Sequence, residues 1–225
     1  MKLLAIDTST EIASVALKVG EELFCEEQGS QKTHAQLVLP LVDKLMNQAG
    51  IQINQLDGIV FGCGPGSFTG LRISCSIAKG LAYAHDLGLI PISSLAAIAW
   101  SARELKSKSH DVSVPVLAVL DARMHEMYWG YFAKGSMSSD GRVNAVQEIE
   151  LPEQQSVILA GVGIEEYWAD FPDALKSQIS EKINLYPNAA AMIRLALHAD
   201  IKPVSVADAQ PVYVRNQVTQ GGSRG

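Results

Sequence analysis

The segment GCGPGSFTGLR at Gly62–Arg72 constrains this chain more than any other. It follows an apolar run, Leu56–Gly62, centred on Ile59-Val60-Phe61. It precedes a stretch rich in small residues that ends near His85. A buried strand, a glycine–proline turn and a helix start, in that order, predict one crossover of an α/β fold. Three well-known meanings of such a turn fail on spacing. Walker A needs a lysine after its second glycine, but Leu71 and Arg72 follow Gly70, and Pro65 stands where the first glycine belongs. The dinucleotide pattern G-x-G-x-x-G would need glycine at Ser67 or Thr69. The nucleophile elbow G-x-S-x-G fails because Ser67 directly follows Gly66. What remains is a turn whose N–H groups can point at an anion or a partner carbonyl. The alternative is a turn that only needs positive φ.

The rest of the chain supplies strands and helices around that turn. Lys2–Ile6, Ile12–Val19 and Leu23–Gln28 read as an antiparallel meander. A helix is expected over Thr33–Ala49, capped by Thr33. His34, Leu37, Val38, Leu41, Val42, Leu45, Met46 and Ala49 fall on one face, Pro40 is expected to kink it, and Leu39 lies off the stripe. A second helix, Thr69–His85, is expected with Thr69 as cap. Gly70, Ser74, Ser76, Ala78, Gly80, Ala82 and Ala84 make it weak by propensity and suited to close packing. Leu87–Ile92 reads as a strand, and Ser93 or Ser94 caps a third helix to about Leu105. The polar run Lys106–Val112 reads as a linker. Beyond it, strands are expected at Val114–Leu120, His125–Phe132, Val143–Ile149 and Val157–Ala160. Helices are expected at Glu165–Asp170 and Ala189–Leu197, and a frayed tail at Gln220–Gly225.

A short repeat links the two halves. Leu4-Ala5-Ile6-Asp7 and Leu117-Ala118-Val119-Leu120-Asp121 each end a strand on an aspartate, then turn into a second strand and a glycine. This pattern predicts two related subdomains, residues 1–108 and 109–225. Each aspartate either faces a cleft between them or accepts hydrogen bonds in its own turn.

Composition narrows the function classes. With 18 Lys+Arg against 24 Asp+Glu, the net charge of −6 gives no basic face for independent nucleic-acid binding. Phosphate contacts to an RNA would then come from a partner. The apolar start is too short for a signal segment, and no run approaches a membrane span of about 20 residues. Cys25, Cys63 and Cys75 form no C-x-x-C pair and read as reduced, mostly buried thiols of a cytoplasmic protein. His125-Glu126 opens like the zinc motif H-E-x-x-H, but Trp129 occupies the fifth position, on a strand. His34 has Val38 four residues on, so no histidine pair forms there. No Ser–His–Asp or Cys–His set emerges from local signatures.

Four segments then resemble one family. LLAIDTSTEIASVAL, GPGSFTGLRIS, LDARMHEMYWGYF and PVYVRNQV, with SSLAAIAW, are similar to the bacterial TsaB (YeaZ) family of tRNA-modification proteins, over residues 1 to about 218. The resemblance implies a duplicated actin-like ATPase fold (ASKHA, RNase H-like), with two subdomains of mixed sheets flanked by helices. It implies a non-catalytic scaffold required to make N6-threonylcarbamoyladenosine in tRNAs reading codons that begin with A. In the family the paralogue TsaD performs the transfer and carries the metal-binding histidines, and the ATPase TsaE binds the assembled pair. The expected partners are therefore TsaD and TsaE, a second copy when the chain is alone, and tRNA only through the complex. No cofactor is required of this chain and no metal is held, with ATP or ADP placed at the complex interface. Family members often end in a basic, tryptophan-containing stretch; here TQGGSRG follows Val218.

Two residue sets carry these expectations. A vestigial phosphate loop comprises Asp7, Thr8, Ser9, Gly64, Gly66, Ser67, Thr69, Gly70 and Asp121. A partner interface of paired helices comprises His34, Leu37, Leu39, Leu41, Leu45, Arg72, Ser76, Ala78 and Lys79. The competing readings are an actin-like phosphotransferase or hydrolase using Asp7 and the Gly64–Gly70 loop, and a metallopeptidase.

Overall fold

The computed structural model describes residues 1–29, 34–106 and 113–214. Thr33, the linker at 107–112 and the tail beyond 214 lie outside the described residues. The chain opens with β1 (Lys2–Asp7), β2 (Ile12–Val19) and β3 (Glu22–Gly29), an antiparallel meander as the turn residues predict. Helix α1 (His34–Ala49) leads to β4 (Gly58–Gly64), which lies parallel to β1. Helix α2 (Phe68–His85) crosses to β5 (Leu89–Ser93), and α3 (Ser94–Lys106) ends the first half. The second half repeats the scheme with β6 (Val116–Asp121), β7 (Glu126–Phe132), β8 (Arg142–Ala145), β9 (Val157–Gly161), α4 (Asp173–Lys176), β10 (Ile179–Asn184) and α5 (Ala189–His198).

Among the described residues the strands form two sheets, ordered β3-β2-β1-β4-β5 and β10-β9-β6-β7-β8. Read from the opposite edge, the second order is the first repeated. The duplication is therefore in the topology: each sheet is mixed, with a meander on one side and parallel strands on the other. This is the duplicated actin-like arrangement of two mixed sheets flanked by helices.

Helices α3 and α5 lie between the sheets, and each packs across the boundary. α3 packs chiefly on β6 and β9, and α5 on β1, β2 and β4. One apolar cluster accordingly joins Leu3, Val60 and Ile92 of the first sheet to Val116, Leu120 and Ile158 of the second through Leu95, Ile98, Met192 and Ile193. Arg103 of α3 is buried and donates to the carbonyls of Val114, Phe132, Ala133 and Ser136, tying the first half to the end of β7. Glu104 and Arg194 join α3 to α5 at 2.7 Å.

Several local expectations are corrected. Ser67, not Thr69, caps α2, because its Oγ reaches the Gly70 N–H at 3.2 Å. Ser93 Oγ accepts from Ala96 N, which settles the start of α3. The helix expected at Glu165–Asp170 is a single 3₁₀ turn, Trp168–Asp170, followed by the one-turn α4. The strand expected at Val143–Ile149 stops at Ala145 and turns through 3₁₀ residues Val146–Glu148. Strand β10 was not anticipated. Cys63 and Cys75 are buried, but Cys25 is exposed.

Candidate functional site

Two concave features meet at the glycine turn. The first is a cleft of about 710 Å³ between the two sheets, lined by residues from both halves. From the first half come Ser9, Thr10, Glu11, His34, Gly66, Ser67 and Phe68; from the second come Asp121, Arg123, Glu165, Glu166 and Tyr186, among others. Tyr186 bridges its sides by donating its hydroxyl to Glu11 at 2.8 Å. His34 sits at the start of α1 with Nε2 2.8 Å from the Thr10 carbonyl.

Around that cleft the glycine turn is packed inward. A Cβ at Gly66 would lie 2.4 Å from the Ser9 carbonyl oxygen, and one at Gly70 would lie 1.8 Å from that of Thr8. These glycines are dictated by the close approach of the β1–β2 turn. Ser67 N donates to Ser9 O at 2.7 Å, Gly70 N to Ser67 Oγ, and Thr8 Oγ1 to Gly70 O at 2.6 Å. Much of the loop's hydrogen-bonding capacity is thus used within the fold.

The two aspartates have diverged. Asp7 is fully buried and does not line the cleft, so the two do not meet across it. Its Oδ1 accepts from Ser9 Oγ at 2.8 Å and from Ser9 N at 3.2 Å, while Oδ2 has no hydrogen-bond partner among the described residues. Burial pushes its carboxyl up to about 7 against the two Ser9 hydrogen bonds. Gly62 makes room for it, since a Cβ there would fall 1.8 Å from Oδ2. Asp121 does line the cleft. It accepts from Arg123 N at 2.7 Å and pairs with Arg123 Nη1 at 2.9 Å, fixing a turn in which Arg123, Met124 and His125 all have positive φ. The neighbouring thiol Cys63 is pushed up to about 12, chiefly by burial, and is no nucleophile at neutral pH. Among the described residues no three His, Cys, Asp or Glu side chains gather as metal ligands.

The second feature is an apolar groove of about 440 Å³ between α1 and α2, lined by Ala35, Leu39, Phe68, Thr69, Arg72, Ile73, Ser76 and Ile77. Leu39 is 49 % exposed and Phe68 46 %. Of the expected interface residues, Leu39, Arg72 and Ser76 lie in this groove. Leu37, Leu41, Leu45 and Ala78 do not; they are buried in the chain's own core. A helical stripe of apolar residues satisfies the sheet beneath it first, and the off-stripe residue is left outside. Lys79 donates to the Ala209 carbonyl at 3.0 Å, so it holds the C-terminal segment. Phe68, Ile73 and Ile77 were missed, although Thr69, Ile73, Ser76 and Gly80 recur at helical spacing.

The chain is similar to known proteins along nearly its whole length. The family model described as "TsaD: tRNA N6-adenosine threonylcarbamoyltransferase" matches residues 27–209. The tRNA threonylcarbamoyladenosine biosynthesis protein TsaB of Haemophilus influenzae is 35% identical, over 97% of this chain and 95% of its own. The chain belongs to the TsaB family. The TsaB of Escherichia coli is 33% identical over 97% of this chain and 96% of its own. YeaZ from Pseudomonas aeruginosa superposes with a TM-score of 0.82 at 31% identity, covering 94% of this chain and 99% of that one. Among the described residues no helix is long and apolar enough to cross a membrane.

Proposed function

We propose that this chain is a non-catalytic scaffold required for N6-threonylcarbamoyladenosine formation in tRNAs reading codons that begin with A. It acts by pairing with the TsaD-type transferase through the α1/α2 groove and supports recruitment of the TsaE ATPase. tRNA is reached through the complex. The observation that carries this reading is the groove. Leu39 of α1 and Phe68, Ile73 and Ile77 of α2, the helix launched by the inward-packed turn, face outward, partly or well exposed. Such a face is the usual mark of a protein contact. The same face suits a second copy of the chain when the transferase is absent.

The cleft favours a second reading, an actin-like phosphotransferase or hydrolase. A nucleotide there would face Glu11, Asp121, Glu165 and Glu166 with Arg123 the one lysine or arginine of the lining among the described residues, so a divalent cation would be needed to offset the carboxylates beside its phosphates. In the scaffold reading any ATP or ADP sits instead at the interface with the partner.

Reconstitution of the tRNA modification with and without this chain tests the proposal. Modification that proceeds unchanged in its absence overturns the scaffold role. Magnesium–ATP turnover by the isolated chain would favour the second reading.

A further inference from the structure

The C-terminal segment, whose course the scaffold reading does not use, returns to the docking groove. Leu89 and Val204 pair as an isolated antiparallel bridge, Lys79 holds the Ala209 carbonyl, and Val212 N donates to Cys63 O at 2.7 Å. These contacts deliver Tyr213 to the start of α2. Its ring lies 5.4 Å from that of Phe68, and its hydroxyl accepts from Arg72 Nε at 3.2 Å. The Arg72 guanidinium carbon sits 3.7 Å over the Phe68 ring. One edge and one face of the guanidinium are therefore occupied, which fixes its plane. Its remaining N–H groups, on Nη1 and Nη2, have no carboxylate partner among the described residues. Arg72 is exposed and lines the groove beside Leu39 and Ile73.

A planar fork with its orientation already set matches a carboxylate in two parallel hydrogen bonds and loses little freedom on binding. It also stands in a molecule of net charge −6, so it marks one point rather than attracting acidic surfaces generally. We propose that Phe68, Arg72 and Tyr213 form a preassembled carboxylate receptor at the edge of the docking groove. The transferase segment seated there carries an aspartate or glutamate on Arg72 beside its apolar residues. Tyr213 is a positioning residue that reaches the partner through Arg72. The inference rests on the reading that the groove docks the TsaD-type transferase.

Titration calorimetry of the full chain against the purified TsaD-type transferase, over a range of sodium chloride, tests it. Arg72→Gln should weaken binding about tenfold and flatten the salt dependence, and Arg72→Glu should weaken it about a hundredfold. Tyr213→Ala should weaken it about threefold, with Tyr213→Phe between it and the parent. Each site is exposed, and an unchanged melting curve verifies folding. Leu39→Glu separates the two ideas. If it abolishes binding while Arg72→Gln binds like the parent, the carboxylate receptor is wrong and the groove stands. If Leu39→Glu binds like the parent, the groove reading fails and the receptor falls with it.

Discussion

The two halves share a sheet and differ in what covers it. In the first, α1 and α2 lie over the outer face of the sheet and close a core of Leu4, Ile6, Val38, Leu45, Ile59 and Ala78. In the second, the corresponding connections shrink to 3₁₀ turns at Val146–Glu148 and Trp168–Asp170 and the four-residue α4. Aromatic and aliphatic side chains including Trp129, Ile149, Tyr167 and Phe171 fill that face instead. The registers correspond closely: Leu3 faces Gly58 as Leu117 faces Leu159, and Gly62 abuts Asp7 as Gly163 abuts Asp121. The sheet is thus the duplicated frame, and the specialisation lies in the connections. Among the described residues only the first half has helices of 16 and 18 residues over the outer face of its sheet.

Four expected outcomes would break or sharpen that contrast. The largest concerns the divergent aspartates. Because Asp7 is raised from 3.8 to about 7 in the fold, its protonated form is the one the fold favours. Its contribution is full below pH 3.8 and is lost as the pH rises through 7, by up to about 4 kcal/mol. Asp7→Asn should flatten this slope in denaturant melts run from pH 4 to 8; a slope that persists would place its origin elsewhere. Next, Gly70→Ala should cost about 3 kcal/mol, since its Cβ meets backbone. Guanidinium melts check this, and an unaffected midpoint would show that the turn can open. Third, Ser76→Glu on the α2 face should reduce transferase binding about a hundredfold. Arg142→Glu, on the second half, should leave that binding unchanged in the same calorimetric titration. Equal effects from both would dissolve the contrast. Smallest, Gly80→Ala should stabilise by about 1 kcal/mol, because nothing lies within 4 Å of a Cβ there. A melting temperature that does not rise would argue against it.

Much of the frame was legible because buried strands write themselves as apolar runs: β1, β4, β6 and β9 are nearly all buried along their length. Strand β10 was not, since ISEKIN alternates partly buried with exposed positions and carries Glu181 and Lys182. The groove was half legible. Periodicity identifies an apolar face but does not say whether it meets the chain's own sheet or another protein. Leu37, Leu41 and Leu45 met the sheet, and Leu39 did not. The cleft was least legible, because Glu11, Asp121 and Tyr186 come together only after both sheets are placed. The capping error had a local cause: Ser67 and Thr69 are both acceptable caps, and only the path of the chain past Ser9 decides between them.

The exchange of α3 and α5 across the boundary bears on how the protein is made. The inner face of the first sheet, with Leu3, Ala5 and Val60, is covered by α5, which follows the last strand of that sheet by about a hundred residues. At about 5–20 residues per second, that face waits roughly 5–20 s on the ribosome for its lid. The chain therefore cannot finish folding one half at a time. Its early strands stay exposed until α5 emerges, and truncation before α5 would uncover the inner face of the first sheet while α3 still lay on the second.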